Sequence, residues 1–344
     1  MKIFFAAKTR NFREVMRTEG NYIMYRIGID LGGTNIAAGL VSGEGKNASI
    51  VKKMSIPTGA ERPAEEIVAD MAKLCNALCA EAGLTPADIE MTGIASPGIA
   101  NHDDGIVEYA NNLPFRRLHI AEMLGKDFPC KKIRVENDAN AAAWGEAVAG
   151  AASGTKNSVM ITLGTGVGGG IIINGKVCSG FNFAGGELGH IVIVEGGRPC
   201  SCGRRGCWEA YSSATALVRM TEEKIAECER TGRKTWMSED VKRRGKVSGK
   251  TAHDGMRAGD EAAKEVVDEY VRYLACGLTN IVNIFQPEVI SLGGGVANER
   301  DTLLGPLLPI IHKEQYGGGI VPSTEIRIAQ LGNDAGIIGA AMLE

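Results

Sequence analysis

Three features are missing from this sequence, and each absence excludes a class of protein. No apolar run approaches the length of a membrane-spanning helix, and the stretch Ile3–Ala7 is too short for the apolar region of a signal peptide. The 38 Lys and Arg residues are evenly mixed with 41 Asp and Glu residues, so there is no basic face for nucleic acid or a membrane surface. The sequence therefore predicts a cytoplasmic protein with a small-molecule partner.

A disulfide framework is also missing. The nine cysteines are spread unevenly, with three of them between positions 200 and 207, which fits a reducing compartment better than paired cystines. Cys75 and Cys79 are four residues apart on a predicted helix and are predicted to be core residues.

The length and the strand pattern predict two α/β lobes. A chain of 344 residues exceeds the range over which one hydrophobic core keeps growing, so a cleft between two lobes is expected. The strand 25–30 enters a glycine-rich bend and returns as 36–41, and a similar pattern recurs from position 159. Strands alternate with helices after each hairpin, which is typical of α/β layers. The polar residues 229–258 are predicted to form a solvated surface helix and loop.

One cluster of soft ligands predicts a structural zinc site. His190 precedes a Cys-x-Cys-x4-Cys pattern formed by Cys200, Cys202 and Cys207. An imidazole and three thiolates complete a tetrahedral zinc shell with no open position, and Gly196, Gly197, Gly203 and Gly206 allow the backbone to fold tightly around it. A disulfide would leave one of these cysteines unpaired and ignore the histidine.

The two glycine-rich bends are candidate phosphate-binding sites. Several backbone N–H groups can converge on an anion at Gly32, Gly33, Thr34 and Asn35, with Asp30 placed to hold a hydrated Mg²⁺. The alternative is an ordinary hairpin turn. The recurrence at Gly164, Thr165 and Gly166 favours a nucleotide site, and Gly293, Gly294 and Gly295 allow close approach of an adenosine.

Two other glycine motifs are rejected. Gly164, Gly166 and Gly169 fit a dinucleotide fingerprint in spacing, but a strand pattern follows them where that fingerprint requires a helix. Gly249-Lys250-Thr251 resembles the end of a P-loop, yet no buried strand precedes it.

An ordered set of motifs resembles the ROK family of sugar kinases and repressors over nearly everything after Met24. The motifs are Asp30-Leu-Gly-Gly-Thr-Asn35, Ser96-Pro-Gly98, Asn112-Leu113, Glu136-Asn-Asp-Ala-Asn140, Leu163-Gly-Thr-Gly-Val-Gly-Gly-Gly170, Gly186-Glu-Leu-Gly-His190 and Cys200-Ser-Cys-Gly-Arg-Arg-Gly-Cys-Trp-Glu209. Within the family, the segments 109–113 and 283–295 look most like those of bacterial glucokinases.

The resemblance implies a fold, an activity and cofactors. The fold is a two-lobed, actin-like (ribonuclease-H-like) α/β ATPase with a small structural zinc loop. The activity is in-line transfer of the ATP γ-phosphoryl group to the 6-hydroxyl of glucose, with Mg²⁺ as cofactor and Zn²⁺ as a structural ion. Sugar and ATP are the small-molecule partners, and the assembly is a homodimer or a homotetramer.

The resemblance places the catalytic base at Asp138, at the start of a predicted helix. A helix N-terminus stabilises an ionised carboxylate, which suits a base at neutral pH. The local sequence alone favours a simple N-cap role for Asp138, and the family motif reverses that preference. The resemblance further implies a set of sugar ligands, comprising Gly98, Asn112, Asn137, Asp138, Glu187, His190 and Glu209. His190 would then serve both the zinc and the sugar.

The predicted organisation is an N-terminal extension (1–24), an N-terminal lobe (25–137), a C-terminal lobe (138–331) with the zinc loop 190–207, and a C-terminal helix (332–344) that returns to the first lobe. Other functions stay open, namely an N-acetylmannosamine kinase, a fructokinase, a sugar-binding protein without turnover, and a repressor. A repressor would need an added DNA-binding domain, and the 24 residues before the first strand show no such pattern.

Overall fold

The computed structural model describes residues 24–344, so the predicted extension lies outside the described residues except for Met24. The chain divides into two units. The first runs to Ala149 and also contains Asn333–Glu344, and the second is Gly150–Gly332. Among residues 24–344 no helix has both the length and the apolar composition needed to cross a membrane.

The first unit is built on a five-stranded sheet. Up to residue 149 its elements are β1 (Tyr25–Leu31), β2 (Asn35–Ser42), β3 (Ser49–Pro57), α1 (Ala64–Glu81), β4 (Ile89–Ser96), β5 (Ile99–Asn101), β6 (Ile106–Tyr109), β7 (Arg116–Leu118), α2 (Ile120–Asp127), β8 (Ile133–Asn137) and α3 (Asp138–Val148). The strand order is β3-β2-β1-β4-β8, and β5-β6-β7 form a small separate sheet.

The second unit has its own five-stranded sheet. Its elements are β9 (Ser158–Leu163), β10 (Val167–Ile173), β11 (Lys176–Val177), α4 (Glu209–Ser212), α5 (Ala214–Thr231), α6 (Trp236–Arg244), α7 (Thr251–Arg257), α8 (Glu261–Phe285), β12 (Val289–Gly293), α9 (Asp301–Glu314) and β13 (Glu325–Ile328). The strand order is β11-β10-β9-β12-β13.

The two sheets repeat one topology. In each, the first three strands in sequence are antiparallel neighbours. The fourth strand pairs in parallel with the first, and the fifth pairs in parallel with the fourth. This confirms the recurrence expected from the sequence and the α/β class. Alternate residues of β1 are fully buried (Ile27, Ile29 and Leu31), which explains why this strand forms the centre of its sheet.

Helix α8 has the bounds that its apolar spacing predicts. Asp260 caps its first turn by accepting a hydrogen bond from the Ala262 amide, and Gln286 ends it in the left-handed region just before Pro287. The apolar residues that recur at helical spacing are buried at Val267, Val271, Leu274, Leu278 and Ile281, whereas Phe285 is only partly buried.

The last helix, α10 (Ala335–Ala341), belongs to the first unit. It packs closely because glycines line its path: a Cβ at Gly28 of β1 would collide with the Ile337 carbonyl, and one at Gly339 would collide with the Ala141 carbonyl of α3. Helix α3 is held on this unit by α10. The boundary between the two units therefore follows α3, at Ala149. The sequence analysis placed the boundary between the lobes before Asp138 and so assigned this helix to the second lobe.

The segment 229–258 corrects one expectation. Instead of one solvated helix and a loop, it contains the end of α5 and the helices α6 and α7, which have buried inner faces. Met237, Ala252 and His253 are fully buried, and Thr251 donates to the buried Asp240 carboxylate (3.4 Å). The buried residues of this segment are few, and its many lysines and arginines dominate the composition. The composition alone therefore predicted a fully solvated segment. Cys75 and Cys79 are buried on α1, as predicted.

Gly277 of α8 packs against Trp208, the residue that follows the last cysteine of the zinc loop. Substitution of this glycine tests how much that packing stabilises the core. A Cβ at Gly277 would collide with the indole of Trp208, which is fully buried and donates its Nε1–H to the Tyr273 carbonyl (3.2 Å). We expect Gly277→Ala to lower the free energy of unfolding by about 1–3 kcal/mol in urea titrations, because of overpacking.

The matched control is Gly125→Ala in α2, where the nearest atom to an added Cβ, apart from the adjacent residues and the helix backbone, is the Ile133 Cδ1 at 3.4 Å, an ordinary van der Waals contact. It is expected to stabilise the protein by up to about 1 kcal/mol, because alanine has the higher helix propensity. Equal effects of the two substitutions would contradict the packing argument.

Candidate functional site

The first glycine bend joins β1 to β2. The Gly32 amide donates to the Asn35 carbonyl (2.9 Å), and Thr58 holds the bend from outside. The Thr58 hydroxyl donates to the Gly32 carbonyl (2.6 Å) and its amide donates to the Thr34 carbonyl (2.9 Å). Gly33, Thr34 and Asn35 are exposed. The bend therefore presents backbone to solvent in a fixed shape, which suits anion binding.

Asp30 lies one residue before the end of β1, next to this bend. Burial raises the pKa of its carboxyl group, and the charge of Lys53 opposes that rise. An added Cβ at Gly336 of α10 would lie 3.1 Å from the carboxylate. A carboxylate oxygen is the ligand type that Mg²⁺ prefers, and a bound cation would offset the cost of burial. Asp30 thus fits the predicted magnesium role.

At the start of α3 the structure assigns the capping role to Asn137. Its Oδ1 accepts from the amides of Ala139 (2.9 Å) and Asn140 (3.1 Å), and its Nδ2 donates to the Gly98 carbonyl (2.9 Å). Asp138 is the first helical residue and is exposed, with Oδ1 accepting from the Ala139 amide (2.8 Å). The N-cap interpretation of Asp138 is therefore wrong, and its carboxylate stands at the positive end of the helix.

Gly98 and Asn112 lie in the same unit. Gly98 has a φ of +90°, and a Cβ there would collide with the Tyr109 carbonyl, so only glycine fits this turn. Asn112 is exposed and accepts from Asn111 Nδ2 (3.2 Å). An added Cβ at Gly33 would lie 3.6 Å from the Asn112 Cβ. The structure therefore brings Asn112 next to the first glycine bend.

The second glycine bend joins β9 to β10. The Gly164 carbonyl accepts from the Ala214 amide (2.8 Å), and the Thr165 carbonyl accepts from the Thr215 hydroxyl (2.8 Å), which anchors the bend to the start of α5. The strand β10 follows, so the rejection of a dinucleotide fingerprint is confirmed. An added Cβ at Gly294 would lie only 2.5 Å from the Leu163 carbonyl. The segments 164–166 and 293–295 are thus neighbours.

Glu209, the first residue of α4, links this bend to the cysteine cluster. Its Oε2 accepts from the Val167 amide (3.0 Å), and a Cβ at Gly166 would collide with the same oxygen. Its Oε1 accepts from the Ser201 hydroxyl (3.4 Å) and lies 3.7 Å from Cys200 Sγ. The Glu209 carboxylate therefore contacts both the second glycine bend and the cysteine cluster.

The predicted zinc ligands come together. His190, Cys200, Cys202 and Cys207 each offer one atom to a group whose members all lie within 4.8 Å of one another. His190 Nδ1 is 3.6 Å from Cys200 Sγ, and the Sγ atoms of Cys202 and Cys207 are 3.7 Å apart. Zinc–sulfur bonds of about 2.3 Å in a tetrahedron place the sulfurs about 3.8 Å apart, so the donor set fits one zinc ion.

The thiols of this cluster have different environments. Burial, followed by the neighbouring thiols, raises the pKa of Cys207 to about 12, while a backbone N–H of Arg204 lowers the pKa of the exposed Cys202. A divalent cation supplies the opposite charge that thiolates need in such a crowded group. The chemistry of the site thus agrees with its geometry.

The loop around the cluster is shaped by glycines, three of which have positive φ. They are Gly196 (66°), Gly203 (88°) and Gly206 (82°). Gly197 serves a different purpose, because a Cβ there would collide with the Tyr211 hydroxyl. Short bridges between Val192 and Cys207, and between Pro199 and Arg205, close the loop.

Glu187 and His190 flank a short turn that leads into the loop. The His190 amide donates to the Glu187 carbonyl (3.0 Å), and the Glu187 side chain is exposed. A Cβ at Gly189 would collide with the Val167 carbonyl, so the turn packs directly on β10. Because His190 presents Nδ1 to the thiols, Nε2 is the ring nitrogen left for another partner. Glu187, His190, Glu209 and the second bend thus form one connected region of the second unit.

Sequence reasoning missed the residues that hold these features in place. The hydroxyl of Thr58 holds the first bend and the hydroxyl of Thr215 holds the second, and neither residue belongs to a motif. Glu136 was noticed only as part of a motif, and His102, which contacts it, carried no signal at all.

The comparisons with known proteins agree with the motifs. The ROK family profile matches residues 26–344. A glucokinase from Halalkalibacterium halodurans is 37% identical over 319 residues, covering 92% of this chain and 94% of the relative.

Two solved structures resemble the chain closely. One is a ROK family glucokinase from Streptomyces griseus in complex with glucose and AMPPNP, with 34% identity, coverage of 92% of this chain and 98% of that one, and a TM-score of 0.72. The other is a ROK hexokinase from Thermus thermophilus, with 32% identity, coverage of 93% and 97%, and a TM-score of 0.75. The predicted fold class is confirmed, and the chain belongs to the ROK family.

Proposed function

We propose that this protein is an ATP-dependent glucokinase that transfers the γ-phosphoryl group to the 6-hydroxyl of glucose. The observation that carries the proposal is the position of Asp138, an exposed carboxylate at the first residue of α3 whose capping role is taken by Asn137. The relative from Halalkalibacterium halodurans is named a glucokinase, and the Streptomyces griseus relative binds glucose and AMPPNP, which supports the same activity here.

Asp138 acts as the general base. It accepts the proton of the 6-hydroxyl as that oxygen attacks the γ-phosphorus in line with the leaving ADP. The partial positive charge at the N-terminus of α3 favours the ionised carboxylate, so the base is ready at neutral pH. Asn137, tied to the Gly98 carbonyl, fixes the backbone from which Asp138 projects. Most of the rate enhancement comes from holding the 6-hydroxyl, the γ-phosphorus and the base in line.

The sugar hydroxyls are recognised by side chains with complementary hydrogen-bonding capacity. Asn137 Nδ2 keeps a second proton for a hydroxyl beyond the one it donates to Gly98, and Glu209 offers a carboxylate whose orientation the Val167 amide fixes. His190 contributes Nε2 while Nδ1 serves the metal. The full proposed set is Gly98, Asn112, Asn137, Asp138, Glu187, His190 and Glu209.

ATP is held mainly by backbone groups. Within the bends Gly32–Asn35 and Gly164–Gly166, the Gly32 and Gly164 amides donate to the Asn35 and Gly166 carbonyls (2.9 and 3.0 Å), so the phosphates would take the other N–H groups of the bends. Gly293–Gly295 offers a surface without side chains to the adenosine. When bound, Mg²⁺ neutralises charge on the phosphates, and Asp30 is the residue of this chain that would hold it. Zn²⁺ would be structural, because His190, Cys200, Cys202 and Cys207 would fill its coordination shell and leave no open position.

Initial rates of ADP release test the choice of sugar. We expect glucose to give the highest kcat/KM in a panel with mannose, fructose, N-acetylglucosamine and N-acetylmannosamine, because a pocket built for particular hydroxyls rejects analogues that leave its polar groups unpaired. If glucose gave the lowest value of the panel, and N-acetylmannosamine or fructose the highest, the proposed substrate would be wrong.

Location and assembly complete the proposal. None of the nine cysteines, all of which lie within residues 24–344, forms a disulfide, and this suits the reducing cytoplasm. We place the enzyme there as a homodimer. Light scattering on the purified protein measures the mass directly, and a monomer at micromolar concentration would contradict the dimer.

A further inference from the structure

A buried carboxylate lies directly beside the proposed base. Glu136 is the residue before Asn137 and is only 3% exposed. Its Oε1 accepts from the Asn137 amide (2.8 Å) and from Asn140 Nδ2 (3.1 Å), so it holds both sides of the segment that carries Asp138. Its Oε2 is 3.1 Å from His102 Nδ1. A buried carboxylate without its full set of donors is costly, so the histidine contact matters for the whole group.

The strand β5 connects this network to Gly98. It spans only Ile99–Asn101, so Gly98 precedes it and His102 follows it. At one end the Gly98 carbonyl accepts from Asn137 Nδ2, and at the other end His102 contacts Glu136. The segment at the start of α3 is thus tied to both ends of the same short strand. Two attachments four residues apart along the chain, at Gly98 and His102, restrict rotation of the segment at the start of α3 more than either contact alone.

We propose that His102, acting through Glu136, positions Asn137 and Asp138 for phosphoryl transfer. The inference rests on the proposed function for its kinetic part. His102 is a positioning residue, since it touches Glu136 and is not itself assigned to the sugar or the nucleotide. Its Nδ1–H donates to Glu136 Oε2, which leaves Oε1 oriented toward the Asn137 amide and the Asn140 side chain.

The charges around His102 give the interaction a pH dependence. The hydrogen bond to Glu136 is the main cause that raises the pKa of His102, with Asp103 acting in the same direction and burial and Arg134 opposing it. Asp103 Oδ1 lies 3.7 Å from Nε2. A raised pKa in the folded state means that the stabilisation is fully present below about pH 6.5 and is lost as the pH rises through the folded-state value.

Two substitutions at position 102 separate the positioning of Asp138 from a general effect on folding. His102→Ala removes the donor, whereas His102→Asn places an amide Nδ2 near the former Nδ1 and keeps a neutral donor. We expect His102→Ala to lower kcat about tenfold to a hundredfold with a much smaller change in the KM for ATP, because a displaced base costs rate. His102→Asn should retain most of the wild-type kcat. His119→Ala, at an exposed histidine of the same unit, is the control and should behave as wild type.

Two measurements do not depend on turnover. Hydrogen exchange at the amides of Asn137, Ala139 and Asn140 should be faster in His102→Ala than in wild type, and near wild type in His102→Asn. The stability advantage of wild type over His102→Asn in urea titrations should shrink as the pH is raised from 6 to 8.

The outcomes are distinguishable. Wild-type kcat or wild-type exchange in His102→Ala would overturn the inference, and so would a His102→Asn variant as impaired as His102→Ala. If wild type failed to phosphorylate glucose, the proposed function would fail, while exchange at residues 137–140 would still support or overturn the positioning role.

Discussion

Asp138→Asn is expected to lower kcat for glucose by about 10² to 10⁴ while leaving the fold and glucose binding intact. The amide has the size of the carboxylate but cannot accept the proton of the 6-hydroxyl. Because Asn137 already caps α3, the helix does not depend on the charge at position 138. Single-turnover rates and the glucose Kd, measured on the same sample, separate the chemical step from binding.

The matched control is Asp301→Asn. Asp301 occupies the first position of α9 and is also exposed, so it experiences a similar helix terminus without an assigned role in the reaction. Its variant should turn over glucose at the wild-type rate. Near wild-type turnover in Asp138→Asn would refute the assignment of the base, and equal losses in both variants would point to helix stability instead.

Cys202→Ala is expected to lose zinc and to weaken glucose binding about tenfold to a hundredfold, although the thiol is not assigned to the sugar. The effect passes through defined contacts. Without the metal, His190 and Cys200 are no longer fixed. Ser201, the residue after Cys200, donates its hydroxyl to Glu209 Oε1, so a shift of Cys200 would be passed to Glu209 through the adjacent residue. The other carboxylate oxygen of Glu209 accepts from the Val167 amide beside the second glycine bend. Loss of zinc should therefore disturb the proposed sugar ligands together.

Cys202 is the best of the three thiols for this test because it is exposed, so its removal leaves no cavity in the core. Zinc content by atomic emission, the glucose Kd by calorimetry and the unfolding midpoint should be measured on each protein. Cys276→Ala, at a half-buried thiol of α8 outside the cluster, is the control and should retain both zinc and affinity. A variant without zinc but with unchanged glucose Kd would contradict the link between metal and sugar.

The parts of the fold that sequence predicted well are those set by local pattern. The apolar residues of α8 recur at helical spacing between positions 267 and 285 and stop before Pro287, and this local pattern predicts the helix. The cysteine spacing predicted a ligand group that the structure brings together, because all four residues lie on one short loop. The recurring hairpin predicted two similar sheets, since each bend is encoded by its own glycines.

The parts that sequence did not reveal depend on contacts between distant segments. The place of α3 in the first unit follows from its packing on α10, about 190 residues later, through glycines whose purpose no local pattern shows. The buried faces of α6 and α7 were hidden by many charged neighbours. His102 and Glu136 are 34 positions apart in the sequence, so no local pattern around either residue predicts their contact.

Identification of the product tests the central claim most directly. Phosphorus and carbon NMR of a reaction containing the protein, Mg²⁺, ATP and ¹³C-labelled glucose follows both the donor and the acceptor. We expect ADP and glucose 6-phosphate in equal amounts, with neither formed by Asp138→Asn on the same timescale. ADP formed with free phosphate and no sugar ester, or an ester on a hydroxyl other than the sixth, would contradict it.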